Sequence, residues 1–232
     1  MGTKAKRRAQ APAGAGIITV GCTGFPVPAT RYFKELAFVE MPAAPVAAPE
    51  TSTLRRFRRE APTGFEFAAV APKEIGQEAF RSGKVLDAAL AVLVDVVTIL
   101  EARTVIFTAP ADFAHGRVNR AAAKELLERA KAHFPRVVWE APAWSVDDVA
   151  SLAADVGVVP CRDPLAHGLA DAKVAYYRLP GPAGHKSRYE DPAIDALAEL
   201  ARAAQHDEAV YVFSNVDMFS DAKRLRKALN QA

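Results

Sequence analysis

Short apolar runs and longer amphipathic stretches take turns along this chain. The apolar runs fall at residues 17–24 (IITVGCTG), 38–41 (FVEM), 65–71 (FEFAAVA), 104–108 (TVIFT), 136–140 (RVVWE), 157–161 (GVVPC), 173–179 (KVAYYRL) and 209–214 (AVYVFS). They are short and rich in β-branched and aromatic residues, which predicts strands. Most are apolar nearly throughout rather than at every second position, as parallel strands covered on both faces require. Between them the pattern opens to a helical period. In residues 119–133, Leu126, Leu127 and Ala130 share one side, and Lys124, Glu128 and Lys131 the other. Further helices are predicted at 31–36, 51–60, 85–102, 145–156, 191–205 and 220–229. Ser145 is a cap candidate with Asp147 and Asp148 in the first turn behind it. Pro192 suits a first turn, and Ser220 is the predicted cap of the closing helix. Pro62, Pro72 and Pro110 stop their elements, and the Ala- and Pro-rich stretch 42–49 reads as loop.

About eight strand-then-helix units fit the remaining length as one TIM-like (β/α)₈ barrel near the lower size limit of that fold. An open doubly wound sheet is the alternative, but no GxGxxG opens a helix, so its dinucleotide-binding version lacks support. The expected organisation is a disordered basic leader over residues 1–16 and a barrel over 17–232.

Charge changes this picture little. The net charge is +3, and the leader alone holds Lys4, Lys6, Arg7 and Arg8 without an acid, so the remainder carries −1. The basic balance is thus mostly a property of the leader and weak support for a nucleic-acid surface. A nucleic-acid contact would use the leader with Arg55, Arg56, Arg58 and Arg59 on one helix, a face that is ordinarily just solvated. Cys22 and Cys161 form no framework, Cys22 reads as a small core thiol, and a reducing cytoplasm is the expected location. No apolar segment of a secretory signal precedes Ile17. The apolar stretch 85–100 carries Asp87 and Asp95 and is too short to cross a bilayer, so no membrane partner is expected.

In such a barrel, chemistry sits at the C-terminal ends of the strands. The polar residues predicted there include Thr23, Glu40, Lys73, Glu140, Arg162, Asp163, Tyr176, Arg178, Asn215 and Asp217. Glu40 and Glu140 adjoin buried segments, where a lone carboxylate is costly unless paired. Arg178 ends a strand from the other half of the barrel and could pair with them. Tyr176 and Arg178 share a face of their strand. The candidates are therefore Glu40 or Glu140 as general acid or base, Arg178 as a clamp for a small anionic or phosphorylated ligand, and Tyr176 and Asn215 as hydrogen-bonding groups. A non-catalytic binding or scaffold barrel is the alternative. His115, His167 and His185 fall in loops, and with no HxH or HExxH no metal is expected. His133 and His206 are expected in last helical turns. No P-loop or GxSxG is present, and no cofactor is expected.

Taken in order, the motifs resemble the YecE-like proteins of domain-of-unknown-function family 72. VGCTGF at 20–25 resembles that family's opening strand, FVEM at 38–41 its second, and PTGFEFAAVAP at 62–72 its third with the flanking turns. APAW at 141–144, YYRLPG at 176–181 and YVFSN at 211–215 resemble its later blocks. The resemblance implies a TIM-like barrel and no defined reaction. It retains Glu40, Arg178 and Asn215. It also places Val138, Glu140 and Ala141 where the family carries Glu, Arg and His, and Pro180 and Ser214 where it carries His and Asn.

Overall fold

The computed structural model describes residues 16–44 and 51–230. The predicted leader, apart from Gly16, and the predicted loop beyond Ala44 lie outside the described residues. The elements run β1 (Ile17–Thr23), α1 (Ala29–Glu35), β2 (Phe38–Met41), α2 (Thr51–Glu60), β3 (Glu66–Val70), α3 (Glu74–Gln77), α4 (Lys84–Leu100), β4 (Thr104–Thr108), α5 (Arg117–Lys131), β5 (Arg136–Glu140), α6 (Val146–Val156), β6 (Val159–Arg162), α7 (Pro164–His167), β7 (Val174–Leu179), α8 (Asp191–Ala203), β8 (Glu208–Phe213) and α9 (Met218–Leu229). Every strand pairs in parallel with the next, and β8 pairs with β1, which closes the barrel and excludes the open doubly wound sheet.

Local chemistry explains most boundaries. Ser145 caps α6 by accepting from the Asp148 amide, and Gly157, at φ +74°, ends it in the left-handed region. Two short helices, α3 and α7, were not predicted, because four residues are too few to show a period. The closing helix starts at Met218, ahead of the predicted Ser220 cap, and Asp217 at its N-cap makes no side-chain cap bond. The reason lies one turn earlier: the Met218 amide donates to the Asn215 carbonyl at 3.1 Å, so the chain is already turning. The two histidines expected in last helical turns lie beyond them, since α5 ends at Lys131 and α8 at Ala203. His206 is instead buried, with Nε2 2.8 Å from the Tyr177 hydroxyl and Nδ1 2.6 Å from the Ala172 carbonyl.

Strand alternation sorts side chains into two cores. Val39, Phe67, Phe107, Trp139, Tyr177 and Tyr211 face the helices. Phe38, Ala68, Ile106, Val138, Cys161, Tyr176, Val210 and Val212 fill the barrel interior. Gly21 faces the interior too: a Cβ there would lie 2.4 Å from the Phe38 carbonyl oxygen and 2.6 Å from its ring, so glycine admits the Phe38 side chain. Polar groups close both ends of this apolar centre. At the N-terminal ends of the strands, Arg136 makes a two-point ion pair with Glu208, both bonds at 2.6 Å. At the C-terminal ends lies the carboxylate–guanidinium group described next.

Candidate functional site

The site is built by strand register. Glu40 lies two residues past Phe38, Glu140 two past Val138 and Arg178 two past Tyr176, so all three continue the inward rows of their strands. Thr23 is the register partner of Glu40, and Thr108 that of Glu140, which places a hydroxyl beside each carboxylate.

Glu40 is saturated. Its Oε1 accepts from Arg178 Nη2 at 2.7 Å and from Thr23 Oγ1 at 3.1 Å. Its Oε2 accepts from Arg178 Nε at 3.0 Å and from the Tyr176 hydroxyl at 2.7 Å. Those four bonds occupy the acceptor positions of a carboxylate, and the side chain is 1 % exposed. Glu140 differs. Its Oε2 accepts from Arg178 Nη1 and, at 2.9 Å, from Thr108 Oγ1. Among the described residues its Oε1 has only the Cys161 thiol, at 3.8 Å, and the side chain is 22 % exposed.

Arg178 bridges the two acids. Nη1 also donates to Thr108 Oγ1 at 3.0 Å, which leaves one Nη2 N–H without a partner among the described residues. Burial opposes the guanidinium charge, but Glu40 and then Glu140 more than offset it, so Arg178 is held well above its usual range and stays charged. Burial, reinforced by Glu40, pushes the Tyr176 phenol well above its usual range and keeps it a donor. Burial and then Glu140 do the same for the Cys161 thiol.

Above this floor opens a cavity of about 910 Å³. Its walls are largely apolar, with Pro42, Val70, Pro110, Trp144, Val146 and Pro180 among them. Trp144 is fixed by its indole N–H donating to the Phe113 carbonyl at 2.8 Å and by stacking on the Phe113 ring. Lys73, Arg162, Asp163 and His167 supply charged or titratable groups to the lining. The lining carries Lys73, Arg162 and Arg178 against Glu40, Glu140 and Asp163, so apart from His167 it holds three groups of each sign.

Of the five residues singled out from sequence, four meet here: Glu40, Glu140, Tyr176 and Arg178. Asn215 does not join them. It is fully buried, and its amide donates to the Ser187 carbonyl at 3.0 Å and to Asp221 at 2.8 Å, fastening the loop after β7 to the start of α9. Cys161 and Thr108 were not singled out, although both lie on inward rows at strand ends, which is a signal visible in the sequence. Cys22 is buried, donates to the Met218 carbonyl at 3.3 Å and is pushed up to about 12 by burial, as a core thiol should be.

A closed (β/α)₈ barrel with an ion-paired polar floor beneath an open C-terminal mouth is the class of protein these features define. The family described as protein of unknown function DUF72 matches residues 29–232, and the chain belongs to it. Solved structures agree on the fold. A DUF72 family protein from Thermotoga maritima is 15 % identical, with a TM-score of 0.72 over 92 % of this chain and 99 % of that one. One from Enterococcus faecalis is 16 % identical, with a TM-score of 0.70 over 94 % of this chain and 100 % of the other. A xylose isomerase domain containing protein from Salmonella typhimurium is 11 % identical, with a TM-score of 0.62 over 92 % and 96 %. Among curated proteins none matches the chain. No helix among the described residues is long and apolar enough to cross a membrane.

Proposed function

We propose that the barrel mouth binds a small hydroxyl-bearing ligand, and that Glu140 rather than Glu40 is the carboxylate facing it. One observation carries this reading. Among the described residues, Glu140 Oε1 is the carboxylate oxygen of the floor left without a strong donor, and it borders an open cavity, whereas both oxygens of Glu40 are fully engaged. A ligand hydroxyl can donate to Glu140 Oε1, and a ligand oxygen can accept the remaining Arg178 N–H. Should the ligand be turned over, Glu140 is the group placed to take its proton, with Arg178 stabilising the oxygen left behind. Glu40 and Tyr176 serve as positioning residues that hold Arg178 in place.

The anionic ligand expected from Arg178 alone becomes a narrower case. Arg178 is already neutralised by two carboxylates, so an anionic substituent would be met by Lys73 at the exposed rim. The name of the Salmonella typhimurium protein, a xylose isomerase domain, speaks of the same small polyhydroxylated class. An open cavity with a preorganised floor favours such a ligand site over a plugged scaffold.

A thermal-shift panel of sugars, sugar phosphates and neutral polyols tests the proposal. A ligand at about 100 times its Kd should contribute about 2.7 kcal/mol. For a chain of this size that raises Tm by roughly 5–10 °C. A panel in which only small acids lacking hydroxyl groups stabilise the protein would count against it.

A further inference from the structure

A second cavity, of about 600 Å³, lies outside the barrel between α1 and α9. It is lined by Arg31, Lys223, Arg224, Arg226 and Lys227 against the single acid Glu35. The acids at this groove are already matched. Glu35 pairs with Lys223 at 3.3 Å, and Asp221, beneath it, with Arg224 at 2.8 Å. Arg31, Arg226 and Lys227 are exposed and have no acidic partner among the described residues. The Arg31 guanidinium and the Lys223 ammonium both lie over the Phe219 ring, at 5.6 and 5.4 Å, so the ring holds two cations at the groove.

The basic surface continues past α1. Phe25 touches Phe33 of α1 at 5.5 Å and Phe57 of α2 at 4.8 Å, which makes the two helices neighbours. On α2, Arg55, Arg56 and Arg59 are exposed. Together α9, α1 and α2 carry ten basic and three acidic residues, a balance of +7 in a chain whose total is +3. With the four leader charges set aside, every other residue of the chain sums to −8. The positive charge is therefore gathered on one side of the barrel.

We infer that the α9–α1 groove, continued by α2, is a binding surface for the phosphodiester backbone of a nucleic acid. Lys223 and the Arg226–Lys227 pair lie on successive turns of α9, which repeat every 5.4 Å or so. A ligand with one charge would engage one or two of these cations and leave the others unmet. A chain of phosphates meets all of them. The one aromatic side chain lining this groove, Phe219, is half-buried beneath two cations, which leaves competing partners little to grip. A protein partner of ordinary affinity wants an aromatic or aliphatic anchor, and a membrane surface wants exposed apolar side chains to insert. The large exposed hydrophobic residues among those described are Ile17, Val94, Val118 and Val216, and none lines the groove. Phosphate tracking needs only cations.

Fluorescence anisotropy of the full chain with short mixed-sequence oligonucleotides, single- and double-stranded, DNA and RNA, tests the inference. Binding should weaken between about 50 and about 200 mM salt, with a log–log slope of about −2 to −3 for three groove cations. The R226E/K227E double variant should lose at least about tenfold in affinity at low salt and flatten the slope by about 2. R117E, on α5 at another side of the barrel, should change neither. The leader adds its own positive charges, so the variants decide rather than the wild type alone. Unaltered binding by R226E/K227E with an unchanged Tm, salt-independent binding, or no binding at low salt would overturn the inference. So would tighter binding to anionic vesicles or polyglutamate than to oligonucleotides.

Discussion

Arg178 stands between two acids of unequal burial, and its loss would be felt mainly by the one it hides. Glu40 is the deeper of the two and accepts four hydrogen bonds, two of them from Arg178. Arg178→Met should destabilise the fold by about 3–5 kcal/mol, because a buried carboxylate is left without its partner. Urea unfolding would show it, and the Glu40→Gln/Arg178→Met double variant should recover much of the loss. If the double variant is as unstable as the single one, the cost lies in packing and not in the stranded charge. This pairing was legible in the sequence, since Glu40 and Arg178 both end apolar strands and a lone buried carboxylate needs a cation. Asn215 gave the same strand-end signal and ended elsewhere. It lies two residues past Phe213, which faces the helices, so the same alternation that brings Arg178 inward carries Asn215 outward. The unequal state of Glu40 and Glu140 was not legible, because it depends on Thr23, Thr108 and Tyr176 meeting them from three other strands.

At the scale of elements, the strands were the most readable part of the chain. β2, β4 and β5 begin and end where their apolar runs do, while β1, β3, β6, β7 and β8 differ by a residue or two at an end. The short helices α3 and α7 and the early start of α9 depend on loop contacts that no periodicity records. Register also joins distant strands at the N-terminal end of the barrel, where Arg136 of β5 meets Glu208 of β8. The hydrogen bonds from Arg136 hold the Glu208 carboxyl below its usual range. A depressed carboxylate pKa contributes stability that is present above the unfolded value, about 4.3, and is lost as pH falls through the folded one. The unfolding free energy of the wild type should therefore drop on acidification below about pH 5. Arg136→Met should be less stable at neutral pH and show a shallower drop in that window. Parallel acid limbs for the two proteins would mean that the pair contributes nothing there.

Across the whole molecule, three surfaces differ in character: a sealed ion-paired floor, an open mouth with balanced charge, and a basic outer side at α9, α1 and α2. The barrel itself was expected from eight alternating units, and the β1–β8 pairing completes it. From the sequence, Arg178 was expected either to pair with Glu40 and Glu140 or to clamp an anionic ligand. Closure of the barrel brings Glu40 from β2 and Glu140 from β5 onto the same guanidinium, which is the pairing. In the proposed function, Glu140 Oε1 is the group that meets the ligand. Calorimetric titration of the best-stabilising compound from the polyol and sugar panel into wild-type and Glu140→Gln protein tests that assignment directly. The predicted result is a loss of affinity of about tenfold or more, about 1.4 kcal/mol, in a variant whose Tm stays near that of the wild type. Equal affinity in the two proteins would contradict it.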